Sequence, residues 1–150
     1  MATIQTAQFG SIDYRTEDVI QFRLGLPAFE EETEFLLVER AAMAPVVFLQ
    51  SLRNPRLSFI ALPTRAIDPG YRLAMSEEDR ATLGLDLDRQ PEEVSEVVSL
   101  AIVTVKEGEG ATANLMAPVV IHRMSRQGLQ AMQPWTGYSH QHPVGEQGGR

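Results

Sequence analysis

Apolar residues in this chain recur with a period of two over short runs, and turn-forming residues cut those runs apart. Ile20, Phe22 and Leu24 alternate with Gln21 and Arg23, the mark of a half-buried strand over residues 19–24, and Gly25-Leu26-Pro27 ends it. The same reading predicts strands over residues 3–7 and 10–14, with Phe9-Gly10 as the break between them. Further apolar runs at 33–39, 46–51 and 57–62 are read as strands, the last two joined by a turn at Asn54-Pro55. Pro63 and Pro69-Gly70 bracket a loop. Connections this short, between strand centres spaced by roughly 8–12 residues, suggest an all-β sandwich or barrel.

The strongest strand signal covers residues 96–106, where Val97, Val98, Leu100, Ala101, Ile102, Val103 and Val105 lie in a run without Pro or Gly. Part of that run reads as buried on both faces. The chain turns at residues 108–110 and returns over 112–124, a strand whose ladder is expected to break at Pro118. Gln127-Gly128 then leads into a strand over 129–133. One helix of about two turns is predicted after Ser76, whose hydroxyl caps Glu77-Glu78-Asp79 while Asp79 reaches back, and Gly84 stops it. A second short helical turn is read at 91–95, with Pro91 at its start. From Pro143 the chain becomes polar and Gly-rich, which gives one domain over 1–143 and a flexible tail over 144–150.

Composition narrows the function classes. With 150 residues and no cysteine, the chain is long enough for one unassisted core and has no disulfide framework or thiolate site. No basic-plus-apolar leader opens it, and the nearly uncharged stretch 97–105 is far short of the ~20 residues that span a bilayer. A soluble, cytoplasmic protein without membrane contact is therefore expected. Twenty acids against 13 bases give a net charge of −7, which argues against direct nucleic-acid binding and suits a basic protein partner or simple solubility. The acids are clustered: residues 77–96 hold eight acids and two bases, and residues 30–39 hold five acids and no base. Such runs read either as a solvated face or as a surface that steers a basic partner.

Candidate chemistry is sparse. His140 and His142 share one face of an extended segment and His122 is the third histidine, but they sit among Ser, Gln and Pro without cysteine, so no metal is expected. There is no Gly-x-Ser-x-Gly elbow, and Gly108-Glu109-Gly110 lacks the lysine and helix start of a phosphate loop. No catalytic residue and no cofactor is assigned, and the chain is not read as an enzyme. Leu26 and Phe29, in the amphipathic turn GLPAFEE, either fold back on the core or wait for a partner.

Collinear segments then carry a resemblance. They are Thr6-Ala7-Gln8-Phe9-Gly10 with Ile12 and Tyr14, Val19-Ile20-Gln21-Phe22 leading to Gly25-Leu26-Pro27-Ala28-Phe29-Glu30, and Phe48-Leu49-Gln50-Ser51. Tyr71, Leu83-Gly84-Leu85, Thr112-Ala113-Asn114-Leu115-Met116-Ala117-Pro118-Val119-Val120-Ile121, Gly128-Leu129-Gln130, Tyr138-Ser139 and His142-Pro143 follow in order. Over residues 3–143 the chain resembles the flagellar assembly factor FliW family, with Ala28 standing where the family usually has Gly and His122 where Asn is common. The resemblance implies a mainly β, single-domain antiparallel barrel-like fold with one or two short helices. It also implies a non-catalytic partner switch, which binds flagellin and antagonises the RNA-binding translational regulator CsrA to relieve repression of flagellin translation.

On this reading the expected protein-binding residues are Phe29, Glu30, Glu77, Glu78, Asp79, Glu92, Glu93 and Asn114. Asn114 with Pro118 either shapes a site or makes a bulged strand with a turn-forming Asn. The competing readings are a small β-barrel ligand binder or enzyme, and a flagellin chaperone without a regulatory role.

Overall fold

The apolar runs do form strands. A computed structural model describes residues 1–144 and contains, among them, eleven strands and two short helices. β1 (Ala2–Thr6) and β2 (Gly10–Tyr14) make a hairpin of their own, tied at its turn by Thr6 Oγ1, which accepts from the Phe9 amide at 2.8 Å. The remaining strands form one antiparallel sheet: β3 (Ile20–Gln21), β4 (Glu34–Glu39), β5 (Val47–Ser51), β6 (Ser58–Pro63), β7 (Val97–Lys106), β9 (Val119–His122) and β10 (Gly128–Gln130). Their spatial order is β10-β9-β7-β6-β5-β4-β3, while β8 (Gly110–Ala113) pairs the far half of β7 and β11 (His142–Val144) pairs β8.

The sheet curls until its ends meet. Gln21 bridges Gln127 in parallel, and its amide donates to the Arg126 carbonyl at 2.9 Å, so a single bridge joins the two ends of a sheet that is barrel-like without being closed by a ladder. At that seam Gly128 is required by space, since a Cβ there would lie 2.9 Å from the Phe22 ring. Ile20, Phe22, Leu26, Phe35, Leu49 and Leu100 fill the interior. Outside, the β1–β2 hairpin covers Leu36, Val38 and Phe48, with Phe9 edge-on to Phe48 at 5.0 Å between centroids. β4 and β5 are thus buried on both faces, which is why Phe35-Leu36-Leu37-Val38 reads as a continuous apolar run instead of an alternation.

A second core lies where β7 leaves β9 for β8 and is built from Tyr71, Leu73, Met75, Leu83, Leu85 and Leu115 with their neighbours. As anticipated from Pro118, the strand expected over 112–124 is interrupted, but the break takes residues 114–118 and leaves two strands, β8 and β9. The broken segment is fully provided for. Asn114 N donates to Ile102 O, Leu115 N to Ser139 O, and the amides of Met116 and Ala117 both reach Asn114 Oδ1. The carbonyls of residues 115–118 accept, in order, from Tyr71 Oη (2.7 Å), Gln133 N, Gln130 Nε2 and Ala131 N. Gln133, fully buried, also donates from Nε2 to Tyr71 Oη at 3.0 Å and accepts from Ala74 N at 2.8 Å. Every polar backbone group freed by the break except the Asn114 carbonyl is thereby assigned a partner.

Four expectations are corrected. The strand over 19–24 ends at Gln21, because Gly25 N donates to Phe22 O and turns the chain, leaving Leu24 exposed while Ile20 and Phe22 stay buried. The region after Pro63 contains a one-turn helix, α1 (Thr64–Ile67), where a loop was read. Residues 91–95 form no helix; Glu93 bridges Val97 and Val94 takes φ +81°, a tight turn into β7. Val144, read as the first residue of the tail, pairs Ala111 as the last residue of β11, an edge strand on which Pro143 costs no ladder bond; the rest of the expected tail, residues 145–150, lies outside the described residues. The helix after Ser76 is present as α2 (Glu77–Thr82), with Ser76 Oγ accepting from Asp79 N at 3.0 Å.

Burial holds the Tyr71 phenol well above its ordinary pKa, so it stays a neutral donor. Tyr71→Phe removes the partner of Leu115 O and of Gln133 Nε2 and is expected to cost about 1–3 kcal/mol in urea unfolding. An unchanged midpoint would show that the hydroxyl does not hold the break.

Candidate functional site

The acidic segment sorts into free and engaged carboxylates. Glu77 and Glu78 are exposed on the first turn of α2, where negative charge suits the helix dipole. Asp79 is half-buried; desolvation raises its pKa, opposed by its hydrogen bond to Ser76. Beyond the helix, His122 Nδ1 donates to Leu83 O at 2.9 Å, fixing the end of α2 to the end of β9. Glu92 is exposed and accepts from Ser95 Oγ at 3.0 Å.

Glu93 differs from its neighbours. Its side chain is only 5% exposed, and its carboxylate receives Arg65 Nη2 (3.2 Å), Leu73 N (3.2 Å) and Thr64 Oγ1 (3.3 Å). It joins α1, the 71–75 segment and the start of β7, and it does not lie on the solvated face where the sequence reading set it. Glu96 is likewise engaged, receiving Glu92 N at 3.1 Å and Arg89 Nη1 at 3.0 Å.

The turn GLPAFEE is a second surface feature. Phe29 N donates to Leu26 O at 2.7 Å, and Pro27 followed by Ala28 at φ +73° makes this a type II turn. Gly25, at φ +65°, has no room for a Cβ, which would meet the Glu30 backbone at 2.5 Å. Glu30 Oε2 accepts from Ala28 N at 3.1 Å, so the alanine keeps the turn that glycine would make more easily. Leu26 folds into the core, whereas Phe29 stays partly exposed, edge-on to Phe59 at 5.2 Å. Asn114 has the turn-forming role described above, and its side-chain oxygen is taken up by two amides. The structure therefore does not gather the eight expected residues: Glu77, Glu78, Asp79 and Glu92 belong to the acidic segment, Phe29 and Glu30 to a separate turn, and Glu93 and Asn114 are held by internal bonds.

The sequence reading missed a cleft floored by Leu37, Val47, Val98 and Leu100, with Glu39 and Arg123 also lining it. Its walls come from separate segments, so no local motif marks it. The described residues contain no helix long and apolar enough to cross a membrane and no cluster of three metal-ligating side chains.

Fold and surface define a small, mainly β domain, barrel-like, with an acidic segment on its outside. The FliW protein family model matches residues 3–144, and the chain belongs to that family. It is 34% identical over 146 residues to the flagellar assembly factor FliW of Caldanaerobacter subterraneus subsp. tengcongensis, covering 96% of this chain and 93% of that protein. The flagellar assembly factor FliW of Bacillus subtilis is 29% identical over 143 residues, covering 95% of this chain and 96% of that one. A crystal structure of the flagellar assembly factor FliW superposes with a TM-score of 0.81 at 29% identity, covering 95% of this chain and 96% of that chain.

Two measurements probe these local arrangements. Ala28→Gly relieves a left-handed alanine and is expected to raise unfolding stability by up to about 1 kcal/mol; a loss would contradict the turn geometry. The Glu92 amide first, and then Arg89, hold the Glu96 carboxyl below its ordinary pKa. A depressed carboxylate stabilises the fold above its unfolded pKa and loses that contribution as pH falls through the folded value. The melting-temperature gap between wild type and Glu96→Gln should therefore be present at pH 6 and shrink below about pH 4. A gap that widens on acidification would reverse the sign.

Proposed function

We propose that this chain is a cytoplasmic flagellar assembly factor that works by binding proteins and carries out no chemistry of its own. It binds flagellin, and it antagonises the translational regulator CsrA, so that flagellin in excess releases the regulator to repress flagellin translation. Membership of the FliW family supports the assembly role. The observation that carries the antagonism is the unpaired acidic group Glu77, Glu78, Asp79 and Glu92, none of which has an ion-pair partner among the described residues.

Docked beside an RNA-binding surface, these four carboxylates would repel incoming phosphates without covering the RNA site itself. Their reach is set by screening, about 8 Å at physiological salt. Repulsion of this kind weakens as salt rises, while apolar contacts between the two proteins do not.

The test is an RNA-binding assay with purified CsrA and a flagellin leader RNA. The wild-type chain should inhibit RNA binding, and neutralising Glu77, Glu78, Asp79 and Glu92 to the amides should relieve at least half of that inhibition at 0.15 M salt. The regulator complex itself should persist. Glu93→Gln is the contrasting variant: it should lower stability through the lost Arg65, Thr64 and Leu73 contacts and leave inhibition by the folded fraction unchanged. Inhibition that survives neutralisation would exclude repulsion by this face.

A further inference from the structure

The β1–β2 hairpin satisfies its own polar groups. Its backbone pairs within itself from Ala2 with Tyr14 to Thr6 with Gly10. Thr3 Oγ1 donates to Asp13 Oδ1 at 2.6 Å, Gln5 Nε2 donates to Ser11 Oγ at 2.6 Å, and Thr6 Oγ1 donates to the Gly10 carbonyl across the turn. Neither strand joins a ladder of the barrel-like sheet. Among the described residues, one hydrogen bond, from Ala7 N to Pro55 O at 3.0 Å, ties residues 1–14 to the rest of the chain, and no ion pair does. The remaining attachment is contact between side chains. Ile4, Phe9, Ile12 and Tyr14 pack with Leu36, Val38 and Phe48, and the Arg40 guanidinium stands over the Phe9 ring at 5.4 Å. Apolar attraction is non-directional, so the hairpin can lift away without breaking a ladder of the sheet beneath it.

The covered face carries a polar defect. Gln50 of β5 and Ser58 of β6 are direct cross-strand partners, and Gln50 shares its face of β5 with Phe48. Gln50 Oε1 and Ser58 Oγ are both buried there without a hydrogen-bond partner. Gln50 Nε2 also donates to Pro55 O at 3.3 Å, the same carbonyl that receives the Ala7 amide. Buried groups left unpaired count against the closed arrangement, and hydration on opening returns part of that cost. The barrel strands differ in kind: β5 is laddered to β4 and β6, and β7 to β6, β8 and β9, so nothing there opens without breaking ladders.

We propose that the β1–β2 hairpin is a strap that opens as one unit while the barrel-like sheet stays folded, uncovering a latent apolar face at Leu36, Val38 and Phe48. Once released, residues 1–14 lose their strand structure, because a two-stranded hairpin alone in water is marginally stable. The open form is a locally unfolded state of lower free energy than the globally unfolded chain. It stands independently of the partners assigned above.

The chain has no cysteine, so a single introduced thiol reports on its own site. Val38→Cys places one beneath the hairpin and Val119→Cys places one in the barrel interior, both at buried valines. Each full-length variant, shown by its melting curve to be folded, is labelled with N-ethylmaleimide under native conditions at several low urea concentrations. Relative to its own rate in the unfolded chain, Val38→Cys is expected to react at least about tenfold faster than Val119→Cys, with a weaker urea dependence than global unfolding shows. Hydrogen exchange of the unsubstituted chain supplies the second measurement: the paired amides of β1 and β2 should exchange together and ahead of those of β5 and β7. Equal protection and equal urea dependence of the two thiols would overturn the inference. So would fast exchange in the hairpin with the thiol at position 38 still protected, which is fraying within the hairpin and not release from the sheet.

Discussion

A strand that ends at Ala113 and resumes at Val119 leaves a run of buried and half-buried backbone groups without a ladder partner, and the upper half of this domain is organised around satisfying them. Asn114 takes two amides with one side-chain oxygen, and Tyr71 brings its hydroxyl to the Leu115 carbonyl from a segment more than forty residues away in sequence. Gln133 fastens the same hydroxyl from the other side while holding Ala74. Tyr138 stacks on Tyr71 at 4.4 Å and accepts from Arg72 N, so the segments around residues 71–75 and 133–138 are set by one polar cluster. Low local dielectric makes each of these bonds stronger and each unpaired group costlier, so the cluster specifies one arrangement.

This explains what the sequence does and does not reveal. Most strands are legible because apolar runs, alternating in residues 10–14 and continuous in 33–39 and 96–106, and the Gly or Pro breaks between them act locally. Among the residues that carry the family resemblance, Tyr71, Asn114 to Pro118, Gln130 and Tyr138 serve to close the strand break. Recognition of these residues reports the fold more directly than the partner surface. The illegible parts depend on distant partners. Glu93 looks like any member of an acidic run until Thr64, Arg65 and Leu73 converge on it. β11 has no strong apolar pattern and exists because β8 offers it an edge.

Charge behaves in the same way. Counting acids over residues 77–96 suggests one uniform face, but Arg89 takes Glu96 and Asp86, and the inward turn takes Glu93. Four of the expected carboxylates remain unpaired around α2 and the turn after it. The cleft floored by Leu37, Val47, Val98 and Leu100, by contrast, combines an apolar floor with one unpaired charge of each sign, Glu39 and Arg123. Under the proposed function the four unpaired carboxylates act at a distance, by repelling phosphate.

The proposed function rests on a switch between two protein partners, and competition calorimetry tests it most directly. The chain is first saturated with CsrA and then titrated with flagellin from the same organism. Saturable binding to each partner alone, with release of the regulator as flagellin is added, is the expected result. Flagellin binding that leaves the regulator in place, or no binding to either partner at tens of micromolar, about −6 kcal/mol, would contradict it.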